Sequence, residues 1–348
     1  MRSYIIIMAL LLQTNYVTPF MDMTFHTEEM LKNHEPSRAF VDSGGTVRID
    51  ADRFLTVRDF SEGRAAVWAN NDRWGYIDKV GTIVIDPKYT NARDFSGGVA
   101  LVKIDSSNSK DAQHRWAFLD TSGNILFETE LESVYSFSDG VALAESDGFV
   151  YLISKTGQIK ELFKMGSLQP AFGDGNMRFV NGLLLVWDSE SEAFGYMDKN
   201  GKIAIKCQFK NASNFSQEVA RVSVVLNHNE LMGFIDLQGR FVIPPKFDID
   251  FDFSRNGTDF SEDLAGVIDG PPTVMSDSKF NYLDRSGRVV LRTDFSRAEP
   301  FKGGLAAVYD SETNKFGFID KTGHLRIPLR YGLARDFSDG LVYVEDPD

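Results

Sequence analysis

The chain is short of several things that would have narrowed its function. It holds one cysteine, Cys207, among 348 residues, so no disulfide can form within it. A lone thiol just after an apolar strand reads as a packed or surface residue, not a nucleophile. Long hydrophobic runs are missing: the longest stretch, Tyr4 to Leu12, has nine apolar residues, too few to span a bilayer. Positive charge is short as well. Lys and Arg number 37 against 50 Asp and Glu, a net charge of −13. That balance argues against nucleic acid or an anionic membrane as partner, because both need basic patches. The histidines, His26, His34, His114, His228 and His324, show no His-Glu-x-x-His or other ligand spacing. There is no Gly-rich phosphate loop and no Gly-x-Ser-x-Gly elbow. The sequence therefore offers no catalytic residue, no metal site and no cofactor.

What the chain does have is a repeat. One stretch, Trp74-Gly75-Tyr76-Ile77-Asp78-Lys79-Val80-Gly81, returns in variant form along the protein. Its anchor positions are Asp42, Asp78, Asp120, Ser154, Asp198, Asp236, Asp284 and Asp320. A glycine follows each three residues later, from Gly45 to Gly323, and a large apolar residue precedes each by two, from Phe40 to Phe318. A second marker is a Phe opening a turn, usually Phe-Ser-x-Gly, at Phe60, Phe95, Phe137, Phe179, Phe215, Phe260, Phe301 and Phe337. The period is about 40 residues, in the range of solenoids and propellers.

The local chemistry of one unit is readable. Asp with Gly three residues on, between two β-rich runs, is hairpin turn chemistry. The Asp side chain caps the turn and Gly supplies a positive φ. Each unit is thus a strand A such as Gly98-Val99-Ala100-Leu101-Val102, a strand B such as Trp74 to Asp78, the turn, and a strand C such as Ile83-Val84-Ile85. The link to the next A, for instance Pro87 to Phe95, has apolar residues every third position and reads as a packed irregular connector. The turn role accounts for the repeated aspartates without any catalytic duty.

The stretch at Trp74 resembles the WG-repeat (KWG-repeat) family of bacterial β-repeat proteins. Phe194-Gly195-Tyr196-Met197-Asp198-Lys199 and Phe316-Gly317-Phe318-Ile319-Asp320-Lys321 keep the pattern with Phe for Trp. Trp116-Ala117-Phe118-Leu119-Asp120 keeps Trp and loses Gly, and the unit from Val150 to Gly157 lacks Trp, Gly and Asp. The resemblance covers residues from about 38 to 345. It implies a β-repeat architecture and interaction roles, and carries no catalytic residues to transfer.

The array begins on a B–C pair, Ala39 to Asp50, and ends on a lone A, Leu341 to Glu345. Eight complete units result only if the last A joins the first B–C pair. The expected fold is all-β: eight antiparallel three-stranded units in a closed, propeller-like ring, with an open β-solenoid or superhelix as the alternative. Three segments are read: 1–19, 20–37 and the array 38–348. Residues 1–19 fit a signal-peptide core, which would export the protein to the periplasm or beyond, or an N-terminal strand or buried peg, which would leave it cytoplasmic. In 20–37, Thr24 to Lys32 could form two helical turns stopped by Pro36.

For function the first reading is a non-enzymatic scaffold that holds a protein partner through A–B loops on one rim. The loops Asp105 to His114, Asp188 to Ala193, Asp269 to Ser278 and Asp310 to Lys315 vary in length and composition. The candidate binding residues are Trp68, Asp105, His114, Trp187, Asp269, Ser278 and Asp310. A glycan-binding module using repeated aromatics is the second reading, and an enzyme with a site at the ring centre the third. No stable membrane insertion is expected.

Overall fold

The chain divides into Met1–Pro36 and Ser37–Asp348. The computed structural model describes residues 36–104, 115–171, 177–248, 259–269 and 279–347. The leader and the helical turns expected before Pro36 lie outside the described residues, as do the loops 105–114 and 270–278.

Within the second unit the described residues form eight small antiparallel sheets and no helix. Blade two is the template. An inner strand Thr56–Val57 pairs with A, Ala65–Ala69; A pairs with B, Arg73–Ile77; B pairs with the outer C, Ile83–Tyr89. The expected A, B and C strands are therefore present, and the connector adds a short fourth strand at the inner edge. Two-residue strands leave no alternation for a sequence pattern to detect. They show instead as the buried triplet Tyr89, Ala92 and Phe95, which end C, fill the next inner strand and open the next turn. Blade five builds its inner edge from two pieces, Leu168–Pro170 and Phe179–Val180. Blade seven shows three strands among the described residues.

The ring closes as the strand order at the two ends predicts. The N-terminal B strand, Arg38–Asp42, pairs antiparallel with the C-terminal A strand, Leu341–Glu345, with Phe40 opposite Tyr343. The sheet runs Val47–Asp50, Arg38–Asp42, Leu341–Glu345, Leu333–Ala334. This is blade one, and the solenoid alternative falls with it.

Why the B strands are apolar along their whole length follows from where they sit. Both faces of each blade meet a neighbour, so Tyr76 and Ile77 are equally buried although they point to opposite faces. The outer C strand alternates, with Val84 and Asp86 exposed on either side of buried Ile85. Each blade junction holds its own apolar core, including the one that joins blade eight to blade one around Val41, Phe318, Tyr331 and Val344.

The two sequence markers meet at these junctions. The aromatic two before the anchor packs on the Phe of the next blade: Phe40 on Phe60 at 4.9 Å, Tyr76 on Phe95 at 5.0 Å, Phe318 on Phe337 at 5.1 Å between ring centroids. Edge-to-face pairs of this kind add to the area each ring buries. Where the aromatic is Tyr, its hydroxyl also donates to the next blade's backbone, as from Tyr76 to the Arg93 carbonyl at 2.7 Å.

The glycine of Trp-Gly has a steric cause. Trp74 pairs with Tyr89 and Tyr76 with Ile85, so the C strand bulges outward opposite Gly75. A Cβ on Gly75 would lie 2.5 Å from the Ile85 carbonyl oxygen and 2.7 Å from Pro87 N. Blades five, six and eight repeat this bulge at Gly195, Gly233 and Gly317. In blade three, where Ala117 replaces Gly, Ala117 pairs with Glu128 in regular register and this bulge is gone. Cys207 stands where Pro87 and Pro245 stand in their blades, half-buried in the bulge. Burial pushes its thiol pKa up, which fits a packing residue.

Candidate functional site

Each strand order sends its turns to one of two rims. The Asp-x-x-Gly and Phe-Ser-x-Gly turns share one rim; the A–B hairpins lie on the other.

On the turn rim the anchors do what the spacing implies. Asp78 Oδ1 accepts from the Val80 and Thr82 amides at 3.1 and 2.8 Å, and the other anchor aspartates repeat this geometry. Ser154 substitutes its hydroxyl, accepting from the Gln158 amide at 3.1 Å. Gly81 has φ +83° and Gly323 +86°. Hydrogen bonds hold the carboxylates below the usual range: the Thr46 amide does this for Asp42, the Lys202 amide for Asp198 and the Ser286 hydroxyl for Asp284.

The same rim is stitched from blade to blade. The Lys after the anchor donates to a carbonyl on the preceding blade: Lys79 to Asp339, Lys155 to Gly97, Lys199 to Asp139 and Lys321 to Glu262. The acidic residue of the Phe-Ser-x-Gly turn reaches the following blade. Glu62 accepts from Gly97 N and Gly98 N at 2.7 and 2.8 Å, and Asp339 from Gly63 N at 2.6 Å across the closure. The Ser of that turn donates to the next Phe carbonyl, Ser61 to Phe95 at 2.7 Å and Ser138 to Phe179 at 2.7 Å. Lys79 and Glu62 are therefore structural.

The A–B rim differs. Its hairpins range from two residues between Ser146 and Phe149 to twelve between Lys103 and Trp116. Trp68 is 36 % exposed and stacks on Trp74 across the strands, 6.2 Å between centroids and 9° between planes. Trp187 is half-buried opposite Phe194 and packs on the core between blades five and six. Asp310 is occupied by its own turn, accepting from the Thr313 hydroxyl at 2.7 Å and the Glu312 amide at 3.1 Å, which lowers its pKa. Asp269 ends strand Ala265–Asp269 opposite Lys279, and its side chain is outside the described part. Asp105, His114 and Ser278 lie outside the described residues. Topology thus brings Trp68, Trp187 and Asp310 to one rim, in blades two, five and eight, without joining them into one patch.

Sequence reasoning missed a third feature at the inner edges of blades two to five. A cavity of about 280 Å³ is lined by Arg58, Arg93, Arg178, Asp94, Tyr135 and Ser136 among others. Burial pushes the Asp94 carboxyl up, against the pull of Arg58, and Tyr135 is pushed up to about 12. The signal was present as the recurring Arg-Asp-Phe of Arg58-Asp59-Phe60, Arg93-Asp94-Phe95 and Arg335-Asp336-Phe337. Among the described residues no group of His, Cys, Asp and Glu is arranged to hold a metal, and no helix is long and apolar enough to cross a membrane.

Blades of small antiparallel sheets closed by the C-terminal strand define an eight-bladed β-propeller. The chain belongs to the WG containing repeat family, whose model matches residues 74–106, 116–148, 194–224, 232–269, 282–310 and 316–346. No curated protein matches the sequence. Among solved structures it is similar to BamB from Moraxella catarrhalis, at 13% identity over 86% of this chain and 98% of that one, TM-score 0.47. It is also similar to Hsv2p from Kluyveromyces lactis, at 9% identity over 85% and 97%, TM-score 0.43. A third is virginiamycin B lyase from Staphylococcus aureus, at 13% identity over 74% and 94%, TM-score 0.39.

Proposed function

We propose that the ring is a non-enzymatic scaffold that holds a protein partner on its A–B rim. The partner would meet Trp68, Trp187 and Asp310 together with the loops carrying Asp105, His114, Asp269 and Ser278. The observation behind this reading is the division of labour between the rims. On the turn rim, anchor carboxylates, lysines and serines are engaged in turns and between blades. On the A–B rim, Asp310 and Asp188 cap turns of their own hairpins, and hairpin length varies. The test shortens 105–114 and 270–278 to Gly-Ser turns and adds Trp68→Ala. The ring should fold with a nearly unchanged thermal midpoint and lose capture of its partner from native extract. Undiminished capture would move the binding surface elsewhere.

The Trp68–Trp74 stack favours a second reading, a glycan laid on the aromatic pair. It would show as saturable fluorescence quenching by one member of an oligosaccharide panel, absent in Trp68→Ala.

A further inference from the structure

The cavity at the inner edges of blades two to five is unlike the rest of this acidic protein. Among the described residues, three guanidinium groups, Arg58, Arg93 and Arg178, and one carboxylate, Asp94, line it, in a chain of net charge −13. Other inner-edge charges also form ion pairs. Arg335 Nη1 lies 3.2 Å from Asp59 Oδ1, Lys302 Nζ 2.9 Å from Asp336 Oδ2, and Arg221 Nε 3.4 Å from Asp259 Oδ1.

Two lining atoms have unmet hydrogen-bonding capacity. Arg58 Nε is buried without a hydrogen-bond acceptor, and Asp94 Oδ1 is buried without a donor. Buried polar atoms in that state are costly and mark places where a missing partner would bind. Arg58 is held in place by its guanidinium lying 5.4 Å from the Trp74 ring. Arg93 is driven below the ordinary arginine pKa by burial and then by the neighbouring Arg58 charge, so the two cations repel in a partly desolvated space. Asp94 attracts both, and a bound anion would add to that attraction. Ser96, Ser136 and Tyr135 add hydroxyls to the wall.

We propose that this recess binds a small molecule carrying two or more anionic oxygen groups, of the phosphorylated or polycarboxylic class. Forked guanidinium donors match the paired oxygens of phosphate and carboxylate. The roughly 280 Å³ volume admits a molecule of a few carbons. None of Trp68, Trp187 and Asp310 lines the recess, so it is tested separately from the scaffold reading.

The experiment is calorimetric titration of the full chain at low salt with inorganic phosphate, pyrophosphate and citrate. Thermal melts of each mixture run alongside. At least one probe should bind saturably at one site per chain and raise the melting midpoint. Arg58→Gln and Arg93→Gln should each weaken it by about tenfold or more, while Arg53→Gln, an exposed arginine outside the recess, should leave it unchanged. Phosphate-type probes binding without citrate, or the reverse, names the ligand's chemistry. If Arg58→Gln folds poorly, Arg178→Lys, which keeps the charge and removes the fork, must still weaken binding. No saturable binding by any probe, or equal binding by Arg58→Gln, Arg93→Gln and Arg53→Gln, overturns the proposal.

Discussion

The two rims of this propeller are built from the same strands and obey different rules. On the turn rim Asp78 caps its own turn, Lys79 reaches back to blade one and Glu62 reaches forward to blade three. Sequence is constrained there because Lys79 and Glu62 each serve two blades. On the A–B rim Asp188 bonds Ser191 and Asp310 bonds Thr313, each inside one hairpin. The contrast teaches that a repeat ring can be uniform and cooperative on one face and variable on the other. It also sets what each substitution should do.

The largest effect belongs to the rings that join the blades beneath the turn rim. Phe60 is 1 % exposed and packs on Phe40 across the junction of blades one and two. Phe60→Ala should cost about 3–5 kcal/mol in equilibrium denaturation, by lost burial and the cavity left behind. A loss below about 1 kcal/mol would show that the junctions are not the ring's main source of stability.

Next comes the bulge. Gly75→Ala drives a Cβ into the backbone of the C strand and should cost about 3 kcal/mol, whereas the reciprocal Ala117→Gly in blade three should cost under about 1 kcal/mol. Equal losses would mean that the bulge yields freely.

Smaller again is the turn itself. Gly81 has φ +83°, and an added Cβ would sit 3.1 Å from Ile49 Cγ2 on blade one. Gly81→Val should destabilise by more than about 1 kcal/mol, read by the same denaturation. A variant as stable as the parent would refute the turn's strain.

The gentlest probe is pH. Asp42, Asp198 and Asp284 have folded-state pKa values below their unfolded ones. Their contribution is therefore fully present above the unfolded carboxylate range and is lost as pH falls from about 4 through the depressed values. Carboxyl NMR titration should find these three among the last groups to protonate. Midpoints at ordinary carboxylate values would break the turn-cap account.

Much of this was legible in the sequence because the constraints are local. An Asp three before a Gly specifies its turn wherever it occurs, and a Phe before a turn signals a buried ring. The end order, B–C at Ala39 and A at Leu341, was enough to foresee closure. The inner strand was not legible, because Asn91 and Ala92 pair through backbone groups that any residues supply. Nor was the steric reason for Gly75, which depends on a bulge in a strand ten residues away. The arginine recess was hidden because Arg58, Arg93 and Arg178 meet only when blades two to five are placed side by side.

The central claim is that the A–B rim is the working face. Hydrogen exchange of the ring, free and with its captured partner, tests it most directly. The account predicts slowed exchange at the hairpins joining Ala69 to Arg73, Asp188 to Ala193 and Asp310 to Lys315, with the Asp-x-x-Gly turns unchanged. Protection concentrated at Asp78 to Gly81 and its equivalents, with those hairpins exchanging as in the free ring, would contradict it.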